Sequence, residues 1–144
     1  MKPMKQLPVL LIISLTLAAF GTQAKATALN KVDAIGLRAS YSKCIDAADG
    51  VTPVMQSCMR VENAYQDKRL NAAYKKLRAQ LDKNKQAKLR ADERIWLDYR
   101  KSHCAPDPDA GQADALSSFD CSILETAKQA ATLENRSSIE RLKQ

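Results

Sequence analysis

Between residues 54 and 81 the apolar side chains recur at 54, 58, 61, 65, 70, 74, 77 and 81, in steps of three and four with one slip. Such spacing keeps side chains on one face of an α-helix. It predicts a long helix over about 53–82, with Thr52 as N-cap and Pro53 as first helical residue. A shorter helix is expected before it, over about 35–48, ending at a turn on Asp49-Gly50. The segment "DKNKQ" breaks the long helix near Asn84, and a third helix is expected over about 86–103. It ends at "APDPDAGQ", where Pro and Gly cluster. A fourth helix is expected over about 113–134, with a frayed tail beyond it. No alternating run of strand length is present, and Ala, Leu, Lys, Gln, Arg and Glu dominate. The reading is all-α: a long antiparallel helical hairpin, with a short helix before it and another helix after it.

The first residues have a different pattern. "MKPMKQ" is basic, "LPVLLIISLTLAAFG" is an apolar run, and "TQAKA" supplies small residues for cleavage. This is the layout of a signal peptide over 1–26, cut after Ala26, and it predicts a periplasmic or secreted protein. The run is shorter than the roughly 20 apolar residues of a spanning helix, so no stable membrane anchor is expected after cleavage. Residues 27–144 then form a single helical domain.

Export changes the meaning of the four cysteines, Cys44, Cys58, Cys104 and Cys121. An even number in a small exported domain predicts disulfides. Zinc sites favour closely spaced pairs, and no C-x-x-C occurs, so neither a metal site nor a thioredoxin-like motif is expected. Across an antiparallel turn, facing residues have numbers that sum to twice the turn centre. Cys44 and Cys58 centre beside Gly50, and Cys104 and Cys121 centre on the edge of the Pro/Gly loop. Pairing Cys58 with Cys104 would leave a mismatch of about six residues, roughly 9 Å along a helix, where a bridge tolerates about 7 Å. The expected bridges are Cys44–Cys58 and Cys104–Cys121.

The richest stretch is "WLDYRKSHC", residues 96–104, which holds the chain's one Trp and one His. Trp96, Tyr99 and Arg100 share a helix face, as do Asp67, Leu70, Asn71 and Tyr74 on the long helix. With the hairpin turn near 84, Asp67 falls opposite Arg100, Asn71 opposite Trp96, and Tyr74 opposite Glu93. These residues are expected to form a structural clasp across the hairpin, led by an Asp67–Arg100 ion pair. Catalysis is not expected, because His103 has no nucleophile in a recognisable motif and the thiols are committed to bridges.

The segments "YQDKRLNAAYKKL" (65–77) and "KLRADERIWLDYRKSHC" (88–104) carry a resemblance to the LprI-type lysozyme-inhibitor domain. The shared elements are Leu70-Asn71-x-x-Tyr74 and Trp96-x-x-Tyr99-Arg100, and the resemblance extends over about 41–126. It implies a small secreted helical protein that blocks a lysozyme or other muramidase by occlusion, without chemistry and without a cofactor. The chain departs from the pattern at Glu93, where the family usually has Gln. After the last Cys the family often has Thr and then Arg; Thr126 fits, while Gln129 replaces the Arg.

Charge bears on the partner. The formal net charge is +7, and the leader's Lys2, Lys5 and Lys25 leave +4 for residues 27–144. A basic lysozyme calls for an acidic surface on its inhibitor. Residues 60–101 hold thirteen Lys/Arg against six Asp/Glu, whereas residues 102–127 hold no Lys or Arg and five acids. Asp107, Asp109, Asp114, Asp120 and Glu125 are therefore the expected partner-binding residues. The basic hairpin suggests a second kind of partner, anionic components of the envelope. Nucleic acid is not expected for an exported chain with so few aromatics outside the clasp.

Overall fold

The computed structural model describes residues 35–143; the leader and its cut lie outside them. Four helices follow one another: α1 (Ala39–Ala47), α2 (Thr52–Ala79), α3 (Lys83–His103) and α4 (Gln112–Leu142). Among the described residues there is no strand, and the all-α reading holds. The Asp49-Gly50 turn forms as expected. Both residues take the left-handed conformation (φ 46° and 75°), which reverses the chain between α1 and α2. Thr52 opens α2 as its first residue instead of capping it; the cap is Val51, whose side chain makes no capping bond. Asp82 caps α3, its carboxylate accepting from the Lys85 N–H at 2.9 Å.

α2 and α4 share the largest packing surface. They run in the same direction: Met59 packs with Ile123 at one end, and Leu77 with Leu133 at the other. α3 runs antiparallel to both, so the three long helices form an up-down-up bundle. The core falls into two apolar clusters. One joins Tyr41, Cys58, Met59 and Ile123; the other joins Ala73, Leu77, Leu89 and Leu133. Leu77, Leu89, Ile123 and Leu133 are fully buried, each worth about 1.5–3 kcal/mol of transfer free energy. Between the clusters lies a buried polar layer of Glu62, Gln66 and Thr126.

Both expected bridges are present, with Cα separations of 5.7 Å for Cys44–Cys58 and 5.5 Å for Cys104–Cys121. They fasten α1 to α2 and α3 to α4 at the same end of the bundle. Closing loops of this size stabilises the fold by about 3 kcal/mol each in the chain-entropy model.

The expected fraying after residue 134 does not occur: α4 continues to Leu142. Ser137 explains this. It is buried and donates to Gln80 Oε1 at 2.9 Å, fastening the last turns of α4 to the end of α2. Among the described residues no helix is long and apolar enough to cross a membrane.

Candidate functional site

The clasp residues are close together, but they do not pair as the hairpin register predicts. Arg100 Nη1 donates to Thr126 Oγ1 at 2.7 Å, and its guanidinium lies over the Trp96 ring, 4.9 Å from the centroid. Asp67 Oδ2 accepts from Asn63 on its own helix at 3.0 Å. Among the described residues no ion pair joins Asp67 to Arg100, although both line a groove beside Cys104. Asn71 donates to the Asp67 carbonyl at 2.8 Å and does not reach Trp96 across the hairpin. Glu93 accepts from Gln129 Nε2 on α4 at 2.6 Å. Leu70 and Tyr74 pack against the second apolar cluster. The cause is α4, which occupies the inner face of α2 and receives the polar side chains of α3. Burial of Glu93 raises its pKa above the ordinary carboxylate value, with the Gln129 bond opposing the shift.

The strongest polar network involves residues the apolar pattern passes over. Glu62 has no exposed surface and accepts from the Arg38 N–H (3.2 Å), Arg38 Nε (2.8 Å) and Gln66 Nε2 (2.7 Å). Gln66 also donates to the Gly36 carbonyl at 2.9 Å. Arg69 donates to the Ile35 carbonyl at 2.6 Å and grips Glu134 with two bonds of 2.8 and 2.6 Å. The segment 35–38 is thereby tied to α2 and, through Arg69, to α4. One signal for it stands in the sequence. The slip between 65 and 70 vanishes if the inward positions are 59, 62, 66, 70, 73 and 77, which step by threes and fours throughout.

At the disulfide end the acidic residues divide by role. Asp107 and Asp109 are exposed on the loop before α4. Asp114 sits in the first turn of α4, where the helix dipole favours it, and accepts from the Asp107 N–H at 2.8 Å. Glu125 is nearly buried and pairs with Lys128 at 2.6 Å. Asp120 accepts from the Tyr41 hydroxyl at 2.6 Å. Burial first, and that bond second, raise the Tyr41 pKa well above the ordinary tyrosine value, so the phenol stays a donor. Beside this pair a groove of about 540 Å³ opens between α1, the start of α2 and the start of α4. Its walls are Ile45, Met55, Met59 and Leu116, and Asp46 and Asp120 add carboxylates.

His103 stacks on Tyr99, with ring centroids 5.0 Å apart, and all four cysteines are bridged. Among the described residues no group of His, Cys, Asp and Glu is arranged to hold a metal ion. What the arrangement offers is a rigid surface: an acidic, grooved end held by two disulfides, opposite a basic end at the α2–α3 turn. Comparison with curated proteins and with solved structures found no match to either. Residues 44–133, more than half of the chain, match the family described as Lysozyme inhibitor LprI, and the chain belongs to that family.

Proposed function

We propose that this protein is an exported inhibitor of a lysozyme-type muramidase, periplasmic or secreted, that acts by occluding the enzyme and performs no chemistry. The family match supports the class of activity. The observation that carries the surface assignment is the gathering of Asp46, Asp49, Asp107, Asp109, Asp114 and Asp120 at one end of a chain that is basic as a whole. That end is also the braced one, so the acids are presented without a large ordering cost. A strongly basic enzyme would be steered to it by long-range attraction.

The test is titration of a panel of muramidases with the purified, oxidised protein at low and high salt. The variant with Asp107, Asp109 and Asp114 all changed to Asn is titrated alongside. Inhibition should weaken in the variant, mainly through slower association, and added salt should have the same effect on the wild type. If the wild type inhibits no muramidase, the inhibitor reading fails. The reading left would be an envelope accessory that binds anionic envelope components through the exposed lysines and arginines around the α2–α3 turn, among them Lys75, Lys76, Lys83 and Lys85.

A further inference from the structure

The groove between α1, α2 and α4 has a chemistry at odds with the rest of the surface. The chain carries 23 Lys and Arg against 16 Asp and Glu, yet no basic residue lines this groove. Its walls are the aliphatic and thioether side chains of Ile45, Met55, Met59 and Leu116, and its charged groups are the carboxylates of Asp46 and Asp120. Apolar walls beside carboxylates match one kind of side chain closely: a long methylene stem that ends in a cation. We propose that the groove receives a single lysine or arginine side chain projecting from the surface of a basic muramidase. This deepens the inhibitor reading and rests on it.

Two further features support this occupant. Methionine side chains adapt to an incoming chain, and Met55 and Met59 both line the groove. The groove is also preformed. Ile45 follows Cys44 and Met59 follows Cys58, so the first disulfide sets the spacing of two walls. The Tyr41 hydroxyl holds one oxygen of Asp120, which orients the carboxylate before any partner arrives. Asp46 is exposed and makes no ion pair among the described residues, so its charge is available to a partner.

The experiment compares wild type with Asp46→Asn, Ser117→Trp and Asp92→Asn. Ser117 is an exposed groove residue, and an indole there would fill the space. Asp92 lies on α3, pairs with Lys88 and is outside the groove, so its variant controls for the loss of one negative charge. Each protein is checked by thermal melt, and its dissociation rate from an inhibited basic muramidase is then measured. Asp46→Asn and Ser117→Trp should each speed dissociation by at least about tenfold, while Asp92→Asn matches wild type. Wild-type inhibition with both groove variants as tight as wild type would overturn the groove assignment and leave the inhibitor reading standing. Equal weakening by Asp92→Asn would also overturn it, since net charge alone would then explain the loss. Failure of the wild type to inhibit any muramidase would overturn both.

Discussion

Glu62 is the position where one substitution should reveal most about how this fold is held. Its carboxylate has no exposed surface and accepts three hydrogen bonds, two of them from Arg38. Glu62→Ala removes all three acceptor contacts. Breaking a fully buried pair costs about 3–5 kcal/mol. Arg38 retains 33% exposure of its side chain, so its freed guanidinium can turn to water, and it keeps its bond to the Val61 carbonyl. The Gln66 amide keeps its bond to the Gly36 carbonyl. Both facts place the loss at the low end, about 3 kcal/mol. The backbone N–H of Arg38 and one N–H of the buried Gln66 amide are left without their acceptor. For a domain of about 100 residues this loss corresponds to a melting temperature lower by about 12–24 °C. Set against a typical total stability of about 5–15 kcal/mol, it is a large fraction. Thermal and urea denaturation followed by circular dichroism would measure it. A double-mutant cycle with Arg38→Ala should show coupling above about 1 kcal/mol. A loss under about 1 kcal/mol for Glu62→Ala, or additivity within about 0.5 kcal/mol, would refute the account of this network.

Two further outcomes are expected from the same geometry. Gly36 has φ +78°, and a Cβ there would lie 2.6 Å from Arg69 Nη1, so Gly36→Ala should destabilise by about 1–3 kcal/mol; an unchanged melting temperature would show that segment 35–38 is not held as described. Burial raises the Glu93 pKa, so its ionised form costs stability above the folded-state pKa, and that cost is relieved as pH falls through it and is gone below the unfolded value of about 4.3. Glu93→Gln keeps an acceptor for Gln129, so it should raise the melting temperature at pH 7 and lose that advantage by about pH 4; a lower melting temperature at pH 7 would contradict this.

The outcome at α2 shows which parts of the fold a sequence displays and which it hides. The disulfide pairing was readable because each bridge closes a short reversal whose centre is marked by Gly or Pro, and chain geometry leaves little freedom there. The inward face of α2 was not readable from apolarity. Val61 is 62% exposed and Tyr65 41% exposed, while their neighbours Glu62 and Gln66 are fully buried. Polar residues can occupy a buried face when every donor and acceptor finds a partner. Here the partners come from residues 35–38, which no local pattern connects to α2. Tyr65 is not idle on the outside: the Arg38 guanidinium lies 4.4 Å from its ring centroid.

The clasp failed for a related reason. Pairing α2 with α3 across their turn treats the hairpin as a closed unit. α4 is 31 residues long, with Ile123, Ala127, Ala130 and Leu133 spaced for burial, and it competes for the same face of α2. It wins because it buries more apolar surface than the polar stretch of α3 can. The polar residues of α3 then need partners on α4. Arg100 meets Thr126, so two elements of the family pattern 26 positions apart in the chain are joined by one bond. Glu93 meets Gln129, the two positions where this chain departs from that pattern. Glu93 supplies the acceptor and Gln129 the donor that join α3 to α4. No local pattern in the sequence connects Glu93 to Gln129, 36 positions on; only the position of α4 makes them one contact.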